Sequence, residues 1–290
     1  MKTMTLALLL AIVLSACAPA VTPTPTPVPP TATPIPPPTP TPFSGSARVK
    51  LDDITMYFEV HGEGKPLILL HDGTGSAEDW SNQIPVFSLQ YRVIALDNRG
   101  QGRTTDAEAP ISYHLMAEDT LRLMDYLGID SAYLVGWADG GVIGIDLAIH
   151  HPERVKALVA YGANTSPEGL QWTVIAYFRD ASVADLEKDL GAEYLRLSPQ
   201  PEHWPILIEK IRTMWLTQPN FTADELAGIK VPTLILDGKT EEVIRIDHVE
   251  AIAKAIPGAT LIWLPGVGHY AQFQTPDKWN SVVLDYLKDK

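Results

Sequence analysis

The chain has 290 residues, 46% of them hydrophobic, and a formal net charge of −13. That length and apolar content suffice for one large domain with a core of its own. The acidic balance, with no basic run anywhere, excludes a nucleic-acid partner, because holding phosphate needs Lys and Arg in excess on some face.

The first stretch, MKTMTLALLLAIVLSAC, places a Lys before an apolar run from Leu6 to Leu14 and ends in Ser15-Ala16-Cys17. The run is too short to span a bilayer comfortably and small residues mark a cut, so residues 1–16 read as a secretory signal peptide. The ending LSAC resembles the bacterial lipobox, in which the Cys becomes the lipidated first residue of the mature protein. Cys17 is the single cysteine of the chain, so an internal disulfide is excluded. The expectation is an extracytoplasmic protein of the bacterial cell envelope, held on the membrane through Cys17 and not by a spanning helix. Residues 17–45 carry this cysteine and then a run rich in Pro and Thr. Proline at that density blocks helix and sheet, so the run reads as a disordered, extended tether of roughly 70 Å.

The globular domain is expected over 46–290. ARVKLDD and ITMYFEVHG read as a hairpin turning at Asp52-Asp53. PLILLHD, YRVIALDN, AYLVGW, VKALVAYGAN, VPTLILDG and ATLIWLPG are continuous apolar runs bounded by turn residues. Continuous hydrophobicity implies strands buried on both faces, as in a parallel sheet covered by helices. HLMAEDTLRLMDYLGI, GGVIGIDLAIHH, DHVEAIAKAIP and DKWNSVVLDYLKD supply those helices. The alternation predicts a doubly wound α/β domain, its mostly parallel central sheet flanked by helices on both faces. From about 165 to 230 it breaks into helical patterning without a strand, which predicts a helical cap over the carboxyl ends of the strands. The cap is rich in large apolar groups: Trp172, Tyr177, Phe178, Tyr194, Trp204, Trp215 and Phe221. Some should pack the cap onto the core and a few should line a pocket.

Five motifs then fall in order: LILLHDG, VIALDNRGQGRT, LVGWADGG, LILDGKTEEVI and LPGVGHYAQFQTP. In that order and spacing the domain resembles the α/β-hydrolase superfamily, whose fold, with its helical cap insertion, is therefore expected. LVGWADGG is one residue from the G-W-S-D-G-G form of the nucleophile elbow, a tight strand-to-helix turn that needs small residues at Gly136, Gly140 and Gly141. The resemblance implies that Ala138 occupies the nucleophile position, that His269 is the catalytic histidine and that Glu241, or else Glu242, is its acid. It places the oxyanion-hole region at Asp72, Gly73 and Asp139.

Three departures bear on chemistry. Ala138 removes the nucleophile, since a methyl group cannot attack a carbonyl. Asp72 stands where a glycine follows the His, and its carboxylate beside a developing oxyanion would cost up to about 4 kcal/mol. Gln101 stands where a His is common. Asp139, one residue late, is expected to leave the elbow in another direction. His61, His114, His150, His151, His203 and His248 match no motif, and no pair shows metal-ligand spacing with supporting carboxylates, so they read as surface or structural.

No metal and no cofactor is implied: there is no dinucleotide fingerprint, phosphate loop or metal cluster. The leading expectation is a catalytically impaired surface lipoprotein, by descent a hydrolase of small esters, lactones or amides, that binds a small, partly apolar molecule. An active hydrolase using water activated by His269 and Glu241 is the alternative, and a protein-interaction module the third. Membrane contact would come through the lipid anchor only. The sequence leaves the ligand and oligomeric state open.

Overall fold

The computed structural model describes residues 44–290. The expected signal peptide, Cys17 and nearly all of the tether lie outside the described residues.

Eight strands form one sheet: β1 (Gly45–Leu51), β2 (Ile54–His61), β3 (Lys65–Leu70), β4 (Tyr91–Leu96), β5 (Ala132–Trp137), β6 (Val155–Tyr161), β7 (Thr233–Gly238) and β8 (Thr260–Leu264). Their order is β1-β2-β4-β3-β5-β6-β7-β8. β1 and β2 make the antiparallel hairpin, β2 pairs antiparallel with β4, and every pairing from β4 through β8 is parallel. The hairpin turns through Asp52, at φ 46°. The α/β-hydrolase fold expected from the motifs is the fold observed.

Burial on both faces explains why the central strands lack alternation. Along β3, Ile68 and Leu70 enter one apolar cluster while Leu67 and Leu69 enter the other. Along β5, Leu134 points one way and Tyr133 and Val135 the other. Alternate residues of a strand face opposite sides, so two covered faces demand an apolar residue at each position. One side is covered by helices α2 (Tyr113–Tyr126), α3 (Asp139–His150) and α9 (Ile246–Ala255). Helices α1 (Ile84–Phe87), α10 (Ala271–Gln274) and α11 (Pro276–Leu287) cover the other, with Phe87 and Trp80 packed on Trp279.

Between β6 and β7 run five helices: α4 (Trp172–Asp180), α5 (Val183–Leu190), α6 (Ala192–Leu197), α7 (Trp204–Thr217) and α8 (Ala223–Gly228). This is the stretch without strands. Of its large apolar groups, Tyr194 and Trp204 are buried against each other, with ring centroids 5.4 Å apart, while Trp172 is exposed. Phe178 stacks on Trp215 at 4.3 Å, and both line a pocket together with Tyr177.

Candidate active-site pocket

The turn from β5 into α3 is built for close approach. A Cβ on Gly136 would collide with the Gly140 carbonyl, and one on Gly140 with the Leu70 carbonyl of the neighbouring strand. Gly141 has less at stake: its Cβ would come within 2.9 Å of Ala163. Ala138 sits at the tip with φ 49° and ψ −115°, a conformation L-residues rarely adopt. Its backbone N–H donates to the Tyr161 carbonyl at 2.8 Å. The elbow thus keeps a strained backbone beneath a side chain that is only a methyl group.

Ala138 and His269 line one cavity of about 320 Å³ beneath the cap. His269 lies on the loop between β8 and α10. Its carbonyl accepts from Trp137 Nε1 at 2.9 Å, and its backbone N–H donates to Glu242 Oε2 at 3.1 Å. Its Nδ1 lies 3.0 Å from Glu241 Oε1, and both side chains are buried. That oxygen also accepts from the Val243 and Ile244 backbone N–H groups at 2.7 and 3.0 Å, which fixes the carboxylate. Glu241 therefore faces the imidazole, and Glu242 holds the loop backbone.

Behind this pair stands Asp237, at the end of β7, which the sequence reading did not single out. Glu241 Oε2 and Asp237 Oδ2 are both buried with no other hydrogen-bond partner, and a single proton between the two carboxyls satisfies both. Burial, then the bond to Glu241 and its charge, push Asp237 up to about 10. Burial would also raise Glu241, yet the bond to His269 and its charge, followed by the bond to Asp237, hold Glu241 down to about 2. The arrangement is a carboxylate fixed on Nδ1, backed by a neutral acid. With the proton on Nδ1 facing that carboxylate, the ring is oriented with Nε2 as its free acceptor.

The loop after β3 is tied down by groups from the next strand turn. The Asn98 backbone N–H donates to His71 Nε2 at 2.9 Å, so Nδ1 carries the proton and donates to the Asp72 carbonyl at 2.6 Å. Burial keeps His71 neutral, pushed down to about 4. Gln101 Oε1 accepts from the Thr74 backbone N–H at 2.9 Å and is buried, so this departure acts as a buttress of the loop. Asp97 accepts from the backbone N–H groups of Ala77 and Arg103, both at 2.7 Å. In this way the VIALDNRGQGRT motif serves geometry more than chemistry.

Burial shifts two carboxyls of this region. Burial, then the carboxyls of Asp79, Asp139 and Glu193, push Asp72 well above the usual carboxyl range. This favours the neutral form of Asp72 and lessens the charge it would set against an oxyanion. Asp139 lies beside Gly73, in the region the motifs assign to the oxyanion hole. Its carboxylate lines the cavity, with Oδ1 accepting from Tyr113 O–H at 2.8 Å and Oδ2 from Trp215 Nε1 at 2.9 Å. A Cβ on Gly73 would lie 2.6 Å from Asp139 Oδ2, which sets the acid against the oxyanion-hole region. Burial raises Asp139 to about 6, against the lowering influence of Trp215, Tyr113 and His269. Tyr113, from α2, escapes sequence reasoning because no motif links it to the elbow, and the sequence places Trp215, from α7, only among the large apolar groups of the cap.

The remaining histidines divide. His61, His151 and His203 pair with Glu59, Glu118 and Asp106, and His248 Nε2 accepts from the Thr165 backbone N–H at 3.0 Å. His114 and His150 instead converge on one carboxylate, Asp146. Spacing along the chain, by which no histidine pair shows a metal-ligand pattern with supporting carboxylates, does not register this cluster. Asp146 and His150 are four residues apart on one face of α3, and only the packing of α2 against α3 brings His114 to them.

This is a capped α/β-hydrolase architecture with a histidine–carboxylate pair and an alanine at the elbow. A family model described as the alpha/beta hydrolase fold matches residues 65–190. RutD of Azorhizobium caulinodans, whose name proposes carbamate hydrolysis, is 29% identical over 81% of this chain and 95% of its own length. A 2-hydroxy-6-oxo-6-phenylhexa-2,4-dienoate hydrolase of Comamonas testosteroni is 25% identical over 86% of this chain and 96% of its own. Among solved structures, Est816, described as an N-acyl homoserine lactone degrading enzyme, superposes with a TM-score of 0.67 at 26% identity, covering 82% of this chain and 98% of that one. These matches support a place for the chain in the α/β-hydrolase superfamily.

Proposed function

We propose that this protein is a catalytically impaired α/β hydrolase that binds a small, partly apolar molecule between cap and sheet. The observation that carries the reading is Ala138: it lines the cavity at the tip of the β5–α3 turn, where the motif resemblance puts a nucleophile, and no Ser or Cys is among the cavity-lining residues. The walls are mainly apolar, with Leu170, Val174, Phe178 and Ile244 lining the cavity along with Asp72, Asp139 and His269. An apolar cleft with a few convergent polar groups is the usual form of a small-molecule site. Asp139 is ionised above about 6 and disfavours a ligand carboxylate near the elbow. The neutral esters, lactones or amides of related hydrolases suit the pocket better than a dienoate anion. The test is binding without turnover. Purified protein should escape labelling by a fluorophosphonate probe and show no burst with activated esters, because a burst reports an acyl-enzyme. Labelling that maps to a pocket hydroxyl overturns the reading.

One observation favours a second reading. The His269–Glu241 pair is retained with its acid held ionised, and such a pair can activate water in the space a serine hydroxyl would fill. Sites lacking one triad member keep roughly 10³- to 10⁴-fold acceleration over water. Slow, saturable ester hydrolysis that His269→Ala abolishes would establish it.

The location proposed for the domain is the outer side of a bacterial membrane, held through a lipid on Cys17. LSAC and the Pro/Thr-rich run after it support this. Wild-type protein should partition into detergent, and Cys17→Ser should accumulate as uncleaved precursor. Mature protein free in the medium with an unmodified Cys17 would refute the anchor.

A further inference from the structure

We propose that His114, Asp146 and His150 form a site for a divalent transition ion of the Zn²⁺ type, bridging α2 and α3 beneath the return of the cap. Asp146 Oδ1 lies 3.0 Å from His114 Nδ1 and 3.3 Å from His150 Nδ1. The ligand atoms of the three residues all lie within 4.8 Å of one another. Metal–ligand bonds of about 2.0–2.1 Å in a tetrahedral site separate neighbouring ligand atoms by roughly 3.3 Å. Both measured separations are therefore close to those of a tetrahedron's edge.

The donors select the ion. Two imidazole nitrogens and one carboxylate oxygen suit Zn²⁺ and its transition-metal neighbours, whereas Ca²⁺ and Mg²⁺ call for oxygen alone. Asp146 is buried and therefore fixed, while both imidazoles reach the surface and leave an ion a path in. The three border a surface pocket of about 370 Å³ that Glu225 of α8 also lines. Glu225 Oε2 is engaged by the Thr222 N–H and hydroxyl, both at 2.7 Å, so the fourth position of an ion held by the three residues is left to water. An ion here would join α2 and α3. Tyr113, next to His114, lines this pocket and the Ala138 cavity alike and donates to Asp139. The site is thus one side chain away from the ligand cavity.

The test uses the full chain with Co²⁺ and Zn²⁺ as probes. Wild-type protein should bind one equivalent of Co²⁺ at submillimolar concentration with the visible bands of a nitrogen- and oxygen-ligated tetrahedral ion. Zn²⁺ should displace it and raise the thermal midpoint. His114→Ala and His150→Ala should each weaken binding at least about 10-fold, and together abolish it. His61→Ala, on an unrelated surface pair, and Cys17→Ser, lacking the single thiol, should bind as wild type does. Both imidazoles are partly exposed, so the variants should fold, and far-ultraviolet circular dichroism checks this. Binding that survives the double variant overturns the proposal. So does wild-type protein that binds neither ion, which would leave a hydrogen-bonded cluster only.

Discussion

Trp215 Nε1 donates to Asp139 Oδ2 at 2.9 Å, tying cap helix α7 to the first residue of α3. The residue that follows the elbow is thereby held by the cap, and the cap's seating and the electrostatics of the pocket become one matter. Asp139 is polarised from its other side by Tyr113.

Trp215→Phe should keep the aromatic face against Phe178 and remove the donor. A hydrogen bond to a charged group contributes about 1.5–3 kcal/mol, and Asp139 is ionised only above about 6. Urea unfolding should therefore show the full loss at pH 8 and a smaller one at pH 5. Equal losses at the two pH values would mean that the indole acts by packing alone.

Ala138→Ser adds a hydroxyl at an elbow whose glycines are all present, and the variant should fold. With His269 held by Glu241, the new serine should acquire fluorophosphonate labelling, and His269→Ala in that background should remove it. A folded, unlabelled Ala138→Ser would show that the histidine pair cannot serve as a base. Because Asp72 is pushed toward its protonated form, adding Asp72→Asn should change ester turnover at neutral pH little. A large gain would mean that Asp72 is charged there after all.

Ala138→Gly should stabilise the protein. The φ of 49° and ψ of −115° strain any residue with a Cβ, at a cost of about 1–3 kcal/mol, and glycine escapes it at an entropic cost of about 0.5–1 kcal/mol. A rise of about 1 kcal/mol in unfolding free energy is expected from denaturant titration. A fall would place the strain elsewhere.

Stability should decline from about pH 6.5 to 8. Asp237 is pushed up to about 10 and Asp79 to about 7, mainly by burial. The folded state then holds protons that the unfolded chain has released, so the stabilisation is complete near pH 4 and is lost as pH rises toward those values. His71, pushed down to about 4 from 6.5, acts in the opposite sense, but its window closes by 6.5. Glu241, held near about 2, contributes stability lost only in strong acid. Asp237→Asn keeps an N–H donor toward Glu241 without a titrating proton. It should flatten the fall of the thermal midpoint with pH, and an unchanged slope would remove Asp237 as its source.

The sequence by itself determined the fold, its strand boundaries to within a few residues, and the elbow. Continuous apolar runs report burial on both faces of a strand, and glycines report backbone approaching backbone; both are local consequences of packing that every residue in the run must satisfy. That Ala138, Glu241 and His269 fall in turns at strand ends was legible for the same reason, since the conformation of each turn constrains its neighbours. Only the tertiary structure decided that Asp72 favours its proton, that Asp139 turns into the cavity between Tyr113 and Trp215, that Asp237 backs Glu241, and that His114 meets Asp146 and His150. Each of these depends on side chains from elements far apart in the chain, or on how deeply a carboxyl is buried among others. Charge states follow from that surrounding volume, which no spacing along the chain encodes.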